Sequence, residues 1–164
     1  MQAAPAFSLP NVGPGPDPFG LHSGDAAFLV LFFQRDHYCT NCRSQVQTVA
    51  DHVGAFRERD AEPVSVLPEP VERAEEWQDR YDLPYPLLAD PDASVSAAYG
   101  QPVRFGALGS FSDFLGRMPE VVAVDRRADP PGIAYTYRGS STFDRPGVEE
   151  LLGELDDLLA CEKN

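Results

Sequence analysis

Lysine is almost missing from this chain of 164 residues: Lys163 stands alone beside twelve arginines. With 26 aspartates and glutamates, the formal net charge is −13. Phosphate backbones are bound by basic surface, so the charge argues against a nucleic-acid partner. Long apolar runs are missing too. No stretch approaches the roughly 18 apolar residues of a membrane span. The opening Met1-Gln2-Ala3-Ala4-Pro5 has neither the basic n-region nor the apolar h-region of a secretory signal. These absences predict a cytoplasmic protein with no membrane partner. Cysteine is scarce as well, with only Cys39, Cys42 and Cys161. Three thiols do not make the disulfide framework of a small secreted domain, whereas a C-x-x-C in a cytosolic chain points to redox chemistry or a metal. The excess of acid fits a halophile's salt-rich cytoplasm; an acidic, GC-rich proteome is the plainer reading.

Apolar residues make up 43% of the chain, enough to build a real core, and the length suits one domain over residues 1–164. Residues 1–26 are rich in Pro and Gly and predict turns, with a short strand near Ala6–Leu9. Ala26–Phe33 is a continuous apolar run, the pattern of a strand covered on both faces. Thr40 to Arg59 reads as one helix, because Cys42, Val46, Val49, Val53 and Phe56 recur at spacings of four and three. A strand follows at Pro63–Leu67, then a helix over Val71–Tyr81 and an extended piece over Tyr85–Ala89. Asp90-Pro91 looks like an N-cap with proline at the first helical position, opening a short helix to Tyr99. Glu120–Asp125 and Ile133–Arg138 read as a hairpin, and a leucine-striped helix runs from about Pro146 to Ala160. A βαβ half followed by a ββα half predicts an α/β fold: a central mixed sheet with helices on both faces.

Cys39 and Cys42 fall where the first core strand gives way to the first helix, at the carboxyl end of a strand, where sites collect in open α/β sheets. A helix N-terminus carries unpaired N–H groups and partial positive charge, which favour a thiolate, the nucleophilic form. Cys42 lies on the apolar stripe and is expected to face inward; Cys39 is expected at the accessible helix start. A peroxide would convert such a thiol to a sulfenic acid and then a disulfide; a disulfide substrate would pass through a mixed disulfide. A metal reading would use His37, Cys39 and Cys42, but structural zinc takes four ligands and no second Cys/His pair is present.

The chain resembles the thioredoxin-fold redoxins and, more narrowly, the peroxiredoxin-like family of alkyl hydroperoxide reductase and thiol-specific antioxidant proteins. The resemblance is carried by Pro5-Ala6-Phe7-Ser8-Leu9-Pro10-Asn11, Tyr38-Cys39-Thr40-Asn41-Cys42-Arg43, Tyr85-Pro86-Leu87-Leu88-Ala89-Asp90, Ala98-Tyr99-Gly100 and Met118-Pro119-Glu120-Val121-Val122-Ala123-Val124-Asp125. It implies a thioredoxin-like fold and antioxidant peroxide reduction without metal or organic cofactor. It also implies a thioredoxin-like or small-molecule thiol as reductant, and it allows a homodimer. Two registers compete. In the peroxiredoxin register Cys42 is the attacking thiol and Cys39 replaces a Thr or Ser. In the thioredoxin register Cys39 attacks and Cys42 resolves. Arg35 stands at the family proline, and Pro119 at a family arginine, where thioredoxin-like proteins place a cis-proline.

Cys39 is taken as the more exposed nucleophile and Cys42 as its partner. His37, Arg43 and Arg117 are candidates to stabilise a thiolate; a solvent-exposed loop histidine and a solvated helix face are the plainer readings of His37 and Arg43. Tyr38 occupies the thioredoxin tryptophan position, for substrate contact or for core packing. Phe105–Phe114 could form an apolar lid or an ordinary crossover. Cys161, off the leucine stripe, is expected as a free tail thiol rather than a resolving cysteine. Protein disulfide reduction and a non-enzymatic redox sensor are the alternatives to peroxide reduction.

Overall fold

The apolar run after residue 26 forms the middle of a six-stranded sheet. The computed structural model describes residues 1–103 and 116–161. In chain order the strands are β1 (Gln2–Ala3), β2 (Ser8–Leu9), β3 (Phe19–Gly20), β4 (Phe28–Phe33), β5 (Ala61–Leu67), β6 (Leu87–Ala89), β7 (Glu120–Asp125) and β8 (Gly132–Arg138). The helices are α1 (Thr40–Asp51), α2 (Val53–Arg57), α3 (Val71–Tyr81), α4 (Ser94–Ala98) and α5 (Val148–Cys161). The sheet order is β1-β8-β7-β4-β5-β6. Strands β4, β5 and β6 are parallel, while β7 is antiparallel to β4 and to β8. β2 and β3 make a separate antiparallel ribbon.

All six residues of β4 are buried because both faces of the sheet are covered. Phe28, Val30 and Phe32 pack with Cys42, Val46 and Val49 of α1, Trp77 of α3 and Leu151, Leu152 and Leu155 of α5. Leu29, Leu31 and Phe33 point the other way, toward Leu9, Phe19, Leu21 and Tyr99. The predicted α/β architecture with a mixed sheet is the one observed.

Several elements differ from the sequence reading. The helix expected over Thr40–Arg59 breaks at His52, whose φ of −116° and ψ of 11° are not helical. Its N–H turns back to the Val49 carbonyl at 3.0 Å, and Gly54, a poor helix former, follows. Asp90 is not the N-cap expected and Pro91 lies outside the helix, whose cap is Ala93; the Asp90 side chain still reaches its first turn. Its carboxylate accepts from the Ser96 N–H and hydroxyl, each at 2.8 Å. α4 starts only after Ala93 has taken a left-handed φ of 57°. β1 and β3 were not expected; each is two residues long, too short for a hydrophobic period to show. The expected lid at Phe105–Phe114 lies outside the described residues. No helix among the described residues is long and apolar enough to cross a membrane.

Candidate active site

β4 delivers the chain to a tight turn, Gln34 to Cys39, that opens α1. Cys39 is the N-cap of that helix: its Sγ accepts the Cys42 N–H at 3.1 Å. The same geometry brings the two sulfurs together, and Cys39 and Cys42 form a disulfide with Cα atoms 5.2 Å apart. Cys42 is completely buried and Cys39 is 7% exposed. The accessible Cys39 expected from the helix start is thus corrected to a largely covered one, because as N-cap it folds back over the first turn. Cys39 is still the more exposed residue of the two.

Two further donors aim at the sulfurs. The Arg35 backbone N–H reaches Cys42 Sγ at 3.3 Å. Arg145 Nη2 reaches Cys42 Sγ at 3.0 Å and Cys39 Sγ at 3.6 Å. Arg145 sits in the loop between β8 and α5. Its Nε donates to the Thr142 carbonyl at 2.9 Å, and its Nη1 to Gln45 Oε1 at 2.8 Å and Gln34 Oε1 at 3.4 Å. The loop is tied by Asp144, which accepts from the Ser140 N–H and hydroxyl and from the Tyr137 hydroxyl. Asn41 joins it to α1 through Thr142 at 3.3 Å. Burial, with Arg35 close by, pulls the Arg145 guanidinium down to about 10, so it remains charged at neutral pH.

Sequence reading missed Arg145. One signal was available: a cation just before the N-terminus of a helix opposes the macrodipole, so some other contact must hold it there.

The other candidates lie around the turn rather than on the sulfurs. His37 is buried, against the expectation of an exposed loop residue, and its Nε2 pairs with Glu76 at 2.8 Å. Its carbonyl accepts from Trp77 Nε1 at 3.1 Å and from Arg43 Nε at 2.9 Å. Arg43 continues to the Tyr81 hydroxyl and lies over the Trp77 ring. Both residues clamp the turn onto α3, and neither bonds a sulfur. Arg117 donates to Gln101 at 3.2 Å, and its carbonyl accepts from Arg35 Nε at 2.8 Å. Tyr38 is 65% exposed, which removes the core-packing reading, with Arg73 over its ring. Among the described residues the cis peptides precede Pro18 and Pro130, so the cis geometry expected at Pro119 is corrected. Pro119 is instead held by its carbonyl, which accepts from the Gly139 N–H at 2.8 Å. Cys161 is exposed and free. Among the described residues no three His, Cys, Asp or Glu side chains are placed to hold a metal ion.

Beside the disulfide runs a groove of about 240 Å3. Its lining includes Phe32, Val49 and Leu151, Phe143, which is 82% exposed, and Asn41 and Arg145, the latter bonded to the sulfurs.

A sequence model of the AhpC/TSA family matches residues 1–126. A Mycobacterium tuberculosis protein named as a candidate peroxiredoxin is 28% identical over 97 residues, 59% of this chain and 60% of that protein. The match thus spans less than two thirds of the relative's length. Among solved structures, a reduced 2-Cys peroxiredoxin from Plasmodium vivax superposes with a TM-score of 0.79 at 20% identity, covering 99% of this chain and 97% of the other. AhpC from Enterococcus faecalis gives 0.81 at 16% identity, covering 99% and 93%. At these identities the superpositions establish a shared thioredoxin-like fold.

Proposed function

Because this chain belongs to the AhpC/TSA family, we propose that it is a thiol peroxidase that reduces peroxides through Cys39 and Cys42. The carrying observation is the convergence on one sulfur pair of a helix N-terminus, the Arg35 N–H and the Arg145 guanidinium. Donors of this kind favour thiolate over thiol and hold charge where it develops.

In the reduced protein the thiolate of Cys39, the more exposed of the two cysteines, attacks the distal peroxide oxygen. The O–O bond breaks, Cys39 becomes a sulfenic acid, and the alkoxide leaves and takes up a proton. The Cys42 thiolate then attacks the Cys39 sulfur, expels hydroxide, which leaves as water, and closes the disulfide present in the structure. A thiol reductant, small or thioredoxin-like, attacks Cys39, with Cys42 leaving as the thiolate that Arg145 and Arg35 stabilise; a second reductant thiol then attacks the reductant's sulfur in the mixed disulfide, leaves with it as the reductant's own disulfide and frees Cys39. His37, Arg43, Tyr38, Arg117 and Pro119 support the site by fixing the turn and its surroundings. A soluble cytoplasmic setting and a homodimer complete the reading.

One observation favours a second substrate class: exposed Tyr38 directly precedes Cys39, offering an aromatic contact to a protein disulfide. Stopped-flow mixing of reduced protein with one equivalent of hydrogen peroxide, followed by peptide mapping, decides. Rapid oxidation to a Cys39–Cys42 disulfide is expected, lost in Cys39→Ser and Cys42→Ser and kept in Cys161→Ser. Oxidation no faster than that of a free thiol would leave disulfide reduction or redox sensing as the activity.

A further inference from the structure

The Arg145 guanidinium touches both sulfurs, yet among the described residues no carboxylate bonds to it. Its acceptors are a carbonyl and two side-chain amides. Gln45 Oε1 receives Arg145 Nη1 at 2.8 Å and Gln34 Nε2 at 3.2 Å, so both neighbours of that oxygen are donors. A glutamate at this position would serve both donors, and its bond to Arg145 would be the stronger, charge-assisted kind. Glutamine therefore gives up hydrogen-bond strength and keeps the cation's charge unspent. Gln34, completely buried, is anchored in turn: its Nε2 lies 3.5 Å from the Ser65 hydroxyl, Ser65 contacts the Tyr85 hydroxyl at 3.1 Å, and Tyr85 donates to the Val46 carbonyl of α1 at 3.1 Å. This chain of neutral groups crosses the core from β5 to the dithiol helix and carries no charge of its own.

We propose that Gln34 and Gln45 are positioning residues that lock Arg145 against the two sulfurs while leaving its positive charge unneutralised, so that the full field falls on Cys39 and Cys42. The proposal rests on the dithiol reading above and concerns what sets its thiols. Other charged side chains on the elements around the dithiol are Arg35 and Asp36 in the turn, Arg43 on α1, Glu69, Arg73 and Glu76 on the α3 side, Arg117 ahead of β7 and Asp144 beside Arg145, whose carboxylate accepts from Ser140 and Tyr137. None of their side chains bonds a sulfur, and the variants below leave them in place.

The test uses the full chain with Gln45→Glu. Glutamine and glutamate are comparable helix formers and the site is half-buried, so the fold tolerates the change. The reduced protein is alkylated with iodoacetamide across pH, and the dithiol is equilibrated with glutathione buffers. In Gln45→Glu the pH midpoint of alkylation is expected to rise by about one unit, and the equilibrium to move toward the disulfide by about tenfold, roughly 30 mV for two electrons. Gln45→Met, which removes the acceptor without adding charge, is expected to move the midpoint less than half as far. A purely structural role would lower the melting temperature of both variants without separating their midpoints. An unchanged midpoint in Gln45→Glu, or an equal shift in both variants, overturns the proposal. Neither readout uses peroxide, so absence of peroxidase turnover would sink the functional reading and leave this one standing.

Discussion

Arg35 supplies through its backbone what a proline at the same place could not. Its N–H points at Cys42 Sγ at 3.3 Å, and proline has no N–H. A hydrogen bond to a charged acceptor contributes on the order of 1.5–3 kcal/mol. Arg35→Pro is therefore expected to slow release of Cys42 from the Cys39–Cys42 disulfide under thiol attack on Cys39 by about tenfold or more, while Arg35→Ala, which keeps the N–H, changes it far less. Rapid quench with a monothiol reductant measures the step; equal slowing in both variants would place the effect in the side chain. Glu120 carries a second prediction. Its carboxyl is buried, Oε1 has no hydrogen-bond partner among the described residues, and burial raises its pKa from 4.5 to about 7 despite the Arg138 guanidinium at 2.9 Å. An acid with a raised folded-state pKa binds its proton more tightly when folded. Its contribution is complete below the unfolded value and is lost as pH rises through 7. Urea midpoints of the native chain should fall over that window, and Glu120→Gln should flatten the fall; parallel curves would mean that Glu120 does not titrate there. The dithiol was legible in the sequence because both cysteines lie in one local pattern. Arg145 was not, because its bond to Cys42 spans 103 residues and only the folded sheet brings it there.

At the scale of elements, the strands and helices that position the site followed from apolar periodicity, and the departures have local causes. The α1–α2 break is set by the His52 dihedral angles, which a stripe of Val and Phe at helical spacing conceals. The β8–α5 loop is the element on which the site most depends, since it carries Arg145. It begins at Gly139, where an added Cβ would meet Pro119 Cγ at 2.8 Å and the Asp144 backbone. No flexible side-chain end is available there to yield. Gly139→Ala is thus expected to lower stability by about 1–3 kcal/mol, the usual cost of overpacking. It should also draw Arg145 off the sulfurs and depress the rate of peroxide oxidation. Denaturant unfolding and single-turnover kinetics on one preparation test both effects. A loss of stability with an unaltered rate would separate the loop from the chemistry. His37 illustrates the complementary lesson: its placement two residues before Cys39 suggested a chemical role, yet Glu76, Trp77 and Arg43 use it to hold the turn.

Across the whole molecule, three arginines are turned inward, while Arg57, Arg59, Arg127 and Arg138 pair with Glu62, Asp156, Asp125 and Glu120. Arg126 donates to the carbonyls of Leu21, Ser23 and Ala26, Arg43 to His37 and Tyr81, and Arg145 to Thr142, two amides and sulfur. These cations brace loops instead of offsetting the acids outside, where Glu72, Glu75, Asp79, Glu149 and Asp157 are exposed. The formal charge of −13 is therefore a surface charge for the most part, and its self-repulsion opposes the compact state. Screening shortens from about 10 Å at 0.1 M salt to about 3 Å at 1 M. Melting temperature is then expected to rise steeply with potassium chloride up to about 1 M, where neighbouring surface acids are screened from one another. A further rise beyond that point cannot come from screening and would require salt to strengthen burial of the core. The two regimes separate by anion: chloride and sulfate at equal ionic strength should coincide in the first and diverge in the second, sulfate being the stronger promoter of burial. A flat response at every concentration would mean that the acidic surface exerts no net strain, and the salt-adapted reading of this composition would fall with it.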